Sequence, residues 1–138
     1  MTTILLTGAS GVLGSHLPAH MAAAGRRVIA TDIRPAPDRQ DVVEADLSNA
    51  DVVDSLVKDV NQIVHFGAIS KEQNWYLIQS ANIDGTRNIF ESARRHGVKR
   101  GLFASSHPVM GFHPTVATPN RLAAPLRPHP SYATSKPF

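Results

Sequence analysis

The sequence predicts an α/β fold, a doubly wound sheet of parallel strands with helices on both faces. Three observations predict it. Short apolar runs of four or five residues alternate with segments of helical period along the 138 residues, as strand–helix–strand units require. The runs are continuously apolar, which suits strands covered on both faces by crossover helices. The turn between the first run and the first helical segment carries three glycines, Gly8, Gly11 and Gly14.

Each element follows from its own residues. Ile4-Leu5-Leu6-Thr7 reads as the first strand, ending at a glycine. Over residues 11–24, Val12, Leu13, Leu17 and Met21 recur near helical spacing and Gly25 closes the segment. Pro18 kinks that helix or pushes its regular part later. Val28-Ile29-Ala30-Thr31 is a second strand that ends at Asp32, and residues 34–41 are loop. Val42-Val43-Glu44-Ala45 is a short third strand, followed by a helix over about residues 50–57 that Ser48 or Asn49 can cap. Gln62-Ile63-Val64-His65-Phe66 is a fourth strand. Residues 74–96 form the longest helical pattern, with apolar positions at Leu77, Ile78, Ala81, Ile89, Phe90 and Ala93, and Gly97 stops it. Trp75 and Tyr76 open this helix and are expected to pack it. Gly101-Leu102-Phe103-Ala104 is a fifth strand, residues 107–130 are a loop with six prolines, and a new helix begins near Ser131.

Composition excludes several classes. With 42% hydrophobic and 18% charged residues the chain suits a globular domain. It has no Cys, which removes disulfide scaffolds, thiolate metal sites and Cys nucleophiles. No apolar run is long enough to span a membrane, and the N-terminus has no signal-peptide pattern, so a cytoplasmic protein is the default. His107, His113 and His129 lie in a loop without carboxylate partners, so no metal site is expected, and His65 reads as a packing or hydrogen-bonding residue. Charge is asymmetric: residues 1–91 hold all 11 acidic residues and 7 of the 14 basic ones, and residues 92–138 hold 7 basic and no acidic ones. A basic tail can be a nucleic-acid arm, but residues 107–138 lack the interleaved aromatics that single-strand binding uses.

Thr7-Gly8-Ala9-Ser10-Gly11-Val12-Leu13-Gly14 sits between a strand and a helix. There Gly8 allows the tight turn, Gly11 lets backbone approach a pyrophosphate, and Gly14 lets helix pack on strand. Asp32 ends the second strand 24 residues after Gly8, where an acid accepts hydrogen bonds from the adenosine ribose. Its charge opposes a 2′-phosphate by on the order of a few kcal/mol, which favours NAD over NADP.

These motifs occur in order with Asp46-Leu47, His65-Phe66-Gly67-Ala68, Asn82, Gly85-Thr86, Ser105-Ser106 and Tyr132-x-x-x-Lys136. Together they resemble the extended short-chain dehydrogenase/reductase family, also called the NAD-dependent epimerase/dehydratase family, along the whole chain. Within it, Gly67-Ala68-Ile69-Ser70, the segment 82–88 and the segment 104–112 look most like uronate dehydrogenases, which oxidise the anomeric carbon of an aldohexuronic acid to a lactone with NAD. The resemblance implies cofactor contacts from Gly8, Ser10, Gly11, Val12, Asp32, Ile33, Asp46, Leu47, Phe66, Gly67, Ala68, Tyr132 and Lys136. It implies substrate contacts from Ser70, Ser106 and His107, the last standing where the family usually has Asn.

The same resemblance makes Ser106, Tyr132 and Lys136 catalytic. Tyr132 and Lys136 are four apart, hence on one face of a helix. A neighbouring ammonium stabilises the phenolate, so Tyr132 would take a hydroxyl proton as hydride leaves, with Ser106 orienting the reacting oxygen. The expected reaction is therefore NAD-dependent oxidation of a sugar acid. A nucleotide-sugar epimerase or dehydratase, or an NAD-binding module without turnover, are the alternatives. A homo-oligomer is one expected assembly. The family fold continues past the catalytic helix, so residues 1–138 read as a Rossmann-like NAD(P)-binding domain holding the N-terminal five-strand portion. Residues 107–130 would be its active-site loop and residues 131–138 the start of its catalytic helix.

Overall fold

The structure, a computed structural model, describes residues 1–110, 126, 128 and 131–137. Its strands are β1 (Thr3–Thr7), β2 (Arg27–Asp32), β3 (Val42–Glu44), β4 (Gln62–His65) and β5 (Arg100–Phe103). Its helices are α1 (Leu17–Ala23), α2 (Ala50–Val57), α3 (Trp75–Ile78), α4 (Gly85–Arg95) and α5 (Ser131–Thr134). The sheet order is β3-β2-β1-β4-β5 and every neighbouring pair is parallel. All five strands fall where the apolar runs predict them. Because the order reverses at β1, crossovers leave it in opposite directions, and a crevice opens at the carboxyl ends of β1 and β4.

Alternation along β1 builds both faces of the core. Leu5 joins Val53, Val57, Val60, Ile63 and Ile89 beneath α2 and α4. Leu6 joins Ala9, Ala30 and Val42 on the other face, where Leu17 packs. Both leucines are fully buried, so truncating either to Ala removes roughly 2–5 kcal/mol.

The helices show where period alone was too coarse. α1 begins at Leu17, after a 3-10 turn at Gly14–His16, and Pro18 lies in its first turn, where a missing N–H costs little. Asn49 is the cap of α2, its side chain accepting the N–H groups of Asp51 at 3.0 Å and Val52 at 3.3 Å. The long helical pattern is broken: a π-helical turn, Gln79–Asp84, joins α3 to α4. Its buried positions include Ile78, Asn82, Thr86, Ile89 and Ser92, whereas Leu77, Phe90, Trp75 and Tyr76 are exposed. Packing of Trp75 and Tyr76 within the helix is therefore not what the structure shows.

The carboxylate of Asp54 on α2 ties down the end of α4. Its Oδ1 accepts hydrogen bonds from Ser92 Oγ at 3.0 Å, Arg95 Nη2 at 2.7 Å and His96 Nε2 at 3.1 Å. These donors, Ser92 first and then His96, hold its carboxyl below the ordinary aspartate range. A depressed carboxyl stabilises the fold above its unfolded pKa, and that contribution is lost as pH falls through the folded value. Asp54→Asn should therefore melt at lower temperature than the parent at neutral pH. The gap should close once the pH is well below about 4. Thermal melts at two pH values check this.

β5 is the sheet edge, with Leu102 half exposed. α5 is a single turn that ends at Thr134, and the Lys136 N–H reaches the Ala133 carbonyl at 3.3 Å. The expectation that Tyr132 and Lys136 share the face of a continuing helix is thus corrected. Lys136 follows the helix, so Pro137 lies beyond its last residue, Thr134, rather than inside it. The loop expected over 107–130 opens with a 3-10 turn, His107–Met110, and lies otherwise outside the described residues save for 126 and 128, as does Phe138. Among the described residues no helix is long and apolar enough to cross a membrane, and no group of three or more metal-ligating side chains occurs.

Candidate active site

A cleft of about 550 Å³ opens where the sheet order reverses. Its floor is the turn after β1. Gly8 has φ +70°, and a Cβ there would lie 2.7 Å from the Phe66 carbonyl carbon and 2.8 Å from the Gly67 nitrogen. Two backbone segments therefore touch at this point, which only glycine permits. The Gly8 carbonyl accepts the Gly11 N–H at 3.1 Å, and a Cβ on Gly14 would overlap that same oxygen. Among the described residues the Val12 and Leu13 N–H groups donate to no protein acceptor.

Asp32 ends β2 beside this loop. Its Oδ2 accepts the Ser10 N–H at 2.9 Å and its Oδ1 the Arg34 N–H at 3.3 Å. The carboxylate therefore fixes the glycine loop while keeping spare lone pairs toward the cleft it lines. On the far wall Asp46 Oδ1 accepts the Ser48 N–H at 2.9 Å. Asn88 Nδ2 donates to the Leu47 and Ser48 carbonyls, both at 3.0 Å, and ties this loop to α4.

Asn82, in the π-helical turn, is the hub between the two halves of the site. Its Oδ1 accepts the Ile69 N–H at 2.8 Å, and its Nδ2 donates to the Ile69 carbonyl at 3.1 Å and to Ser135 Oγ at 2.9 Å. Ser135 Oγ in turn donates to the Tyr132 carbonyl at 2.7 Å. One buried amide thereby sets the loop that bears Ser70 against the turn that bears Tyr132 and Lys136. A single π-helical turn at such a place is a common device for aiming a functional side chain.

Lys136 is buried, with Nζ 4.9 Å from the Phe103 ring centroid and 5.6 Å from that of Tyr132. Burial pushes its ammonium below the ordinary lysine range. Among the described residues no carboxylate pairs with it, although buried charges are ordinarily paired. Ring contacts supply part of the compensation.

The cleft is lined by Gly8, Ser10, Gly11, Val12, Asp32, Ile33, Asp46, Leu47, Phe66, Gly67, Ala68, Tyr132 and Lys136, the whole set expected to meet a cofactor, and also by Ser70. Ser106 and His107 are not on its wall; Ala104 and Ser105 are, and the Ser106 carbonyl accepts the Val109 N–H at 3.1 Å. Sequence reading names Asn82 only as part of the ordered motifs, without a role, and gives Asn88 and Ser135 no place in the site. The signal that could have found Asn82 is its spacing to Thr86 and Ile89 on one helical face.

The profile of the NAD dependent epimerase/dehydratase family matches residues 4–138. A uronate dehydrogenase of Pseudomonas syringae pv. tomato is 41% identical over 139 residues, covering 98% of this chain and 50% of that protein. The crystal structure of uronate dehydrogenase from Agrobacterium tumefaciens superposes with a TM-score of 0.86 at 36% identity, covering 100% of this chain and 53% of that one. A mutant of the Agrobacterium enzyme complexed with NAD gives a TM-score of 0.86 at 35% identity, with the same coverage. The chain spans about half the length of the relatives it matches.

Proposed function

We propose that this chain, which belongs to the NAD-dependent epimerase/dehydratase family, carries the cofactor-binding and proton-transfer residues of an NAD-dependent uronate dehydrogenase. The observation that carries the reading is Lys136, a buried cation with no acidic partner among the described residues, lining one cleft with Tyr132, Asp32 and the glycine loop. Uronate dehydrogenases among the relatives supply the substrate class.

The residues present fit a dinucleotide. The Val12 and Leu13 N–H groups have no protein acceptor, and a phosphate oxygen would satisfy them. Asp32 has lone pairs left for ribose hydroxyls, and its charge opposes a 2′-phosphate, so NAD is preferred to NADP. Lys136 would donate hydrogen bonds to the hydroxyls of the nicotinamide ribose. NAD bound here supplies the hydride acceptor.

The chain's own residues supply the rest. Tyr132 takes the proton of the anomeric hydroxyl while the C–H bond at that carbon gives up its hydride, and the carbon–oxygen double bond of the lactone forms. Lys136, whose ammonium lies 5.6 Å from the Tyr132 ring, stabilises the phenolate that accepts this proton. Ser70, on the cleft wall, would hydrogen-bond the sugar, and the resemblance puts Ser106, next to the lining residue Ser105, at the reacting oxygen. Asn82 keeps the turn that bears Tyr132 and Lys136 in register with the loop that bears Ser70.

NADH absorbance with galacturonate or glucuronate as substrate tests this reading. The expected result is NADH formation that depends on uronate, and a fall of roughly 100- to 10,000-fold in kcat for Tyr132→Phe with NAD affinity retained. NAD binding without NADH formation would instead leave a binding module.

A further inference from the structure

We propose that His65 is a positioning residue, a neutral imidazole bridging Thr7 and Thr86 that orients the Thr7 hydroxyl to hold the Gly67 wall of the cofactor cleft. The inference rests on the NAD-binding reading above for its consequence, and on geometry for its mechanism.

His65 is the last residue of β4, in register with Thr7 on β1 and with Phe103 on β5. Just beyond this rung the strands part and the cleft begins. The side chain is 1% exposed, and both ring nitrogens meet hydroxyls: Nδ1 lies 2.7 Å from Thr7 Oγ1 and Nε2 lies 2.9 Å from Thr86 Oγ1. Thr7 Oγ1 also accepts the Gly67 N–H at 3.0 Å. A hydroxyl has one proton to give. With Gly67 donating to the oxygen, the Thr7 proton finds its acceptor, among the described residues, only at a bare Nδ1. The imidazole then carries its proton on Nε2 and donates it to Thr86.

A neutral ring is what this arrangement needs, since an imidazolium offers Nδ1 as a donor and strands the Thr7 proton. The surroundings enforce neutrality. Burial first, and then the positive charge of Lys136, push His65 from 6.5 down to about 4. Phe103 stacks beside the ring at 5.6 Å between centroids and carries the Lys136 ammonium against its own face.

The effect reaches the phosphate loop through contact. Gly67, whose N–H the Thr7 hydroxyl holds, belongs to the backbone that abuts Gly8, where no Cβ fits. Losing the Thr7–His65 bond frees the Thr7 hydroxyl to rotate, releases the Gly67 N–H and loosens the pair of segments that face the cofactor. A histidine that only filled space would have none of these consequences.

Side chains of different reach separate the two cases. His65→Asn keeps an acceptor near the Nδ1 position, His65→Gln places its amide near Nε2 instead, and His65→Phe keeps ring volume with neither. In the unliganded chain, nitrogen NMR of the imidazole should show the Nε2–H tautomer. Amide hydrogen exchange at Gly67 should be slow in the parent and in His65→Asn, and faster by about tenfold in His65→Gln, His65→Phe and Thr7→Val. NAD affinity by calorimetry should fall by on the order of tenfold in those same three variants and be largely restored in His65→Asn. If Gly67 exchange is unchanged across the Asn, Gln and Phe variants, or the ring carries its proton on Nδ1, the positioning role is overturned. If the phenylalanine variant does not fold, the Asn and Gln pair and the tautomer still decide it. A parent chain that binds no NAD while the Gly67 pattern holds overturns the functional reading and leaves the positioning role standing.

Discussion

Gly14→Ala is expected to abolish NAD binding and to destabilise the chain by roughly 3 kcal/mol or more. The added methyl would overlap the Gly8 carbonyl oxygen, with the Gly8 carbonyl carbon at 2.8 Å and the Ala9 Cα at 2.9 Å. All three are backbone atoms, so no side chain can turn aside. Gly8 cannot retreat either, because it is pressed against the backbone of Phe66 and Gly67. The loop would have to leave the position that gives the cleft its floor, and NAD binding would be lost with it. Gly11→Ala is the graded control: its Cβ would sit 3.2 Å from the Gly8 oxygen, a contact relieved by a shift of a few tenths of an ångström. Calorimetric titration and thermal melts of the two variants should rank them in that order.

Acidification should unfold the chain early, and His65 is the reason. Its pKa is held from 6.5 down to about 4, by burial first and by Lys136 second. In this window the unfolded chain takes up a proton at His65 and the folded chain does not, so stability falls as pH falls. The contribution is intact above about 6.5 and is lost progressively down to about 4, on the order of 3 kcal/mol in all. Carboxyls held low by hydrogen bonds, Glu91 by Arg94 and Asp54 by Ser92 and then His96, act lower, below their ordinary values of 4.5 and 3.8. Denaturant unfolding at steps between about pH 7 and pH 4 should show this slope, and His65→Asn should flatten it.

The sheet was legible because burial there is written in apolar residues. Leu5 and Leu6 sit in an unbroken run, whereas the strand order β3-β2-β1-β4-β5 is seen only in the structure. A cap at Ser48 or Asn49, and a disturbance of α1 at Pro18, were legible for equally local reasons, and the structure decides for Asn49 and for the later start. The segment 74–96 was harder, because its inward face is largely polar. Asn82, Thr86 and Ser92 are buried there with hydrogen bonds to Ile69, His65 and Asp54. A reading that counts only apolar positions assigned Leu77 and Phe90 to the pattern instead. The π-helical turn has no signature in hydrophobic period at all. Asn82, within it, bonds the Ile69 backbone and Ser135 at once.

At the site, the residues of the cleft wall could be read from glycine spacing, the acid at the end of β2 and the resemblance that ordered the remaining motifs. The supports behind them could not. Thr7, His65 and Thr86 are drawn from three separate elements, and their hydroxyl–imidazole contacts depend on the register of β1 against β4 and on the docking of α4. Sequence placed His65 as a hydrogen-bonding residue without naming its partners. Asn88 is likewise a helix residue whose role appears only when the Leu47 loop is folded against it.

The central claim is that one cleft, floored by the glycine loop and walled by Asp32 and Lys136, takes NAD. Calorimetric titration of the parent chain with NAD and with NADP tests it most directly. Saturable binding of one NAD per chain, with NADP weaker by on the order of tenfold because Asp32 opposes the 2′-phosphate, is the predicted result. No heat of binding with millimolar NAD, or a preference for NADP over NAD, would contradict it.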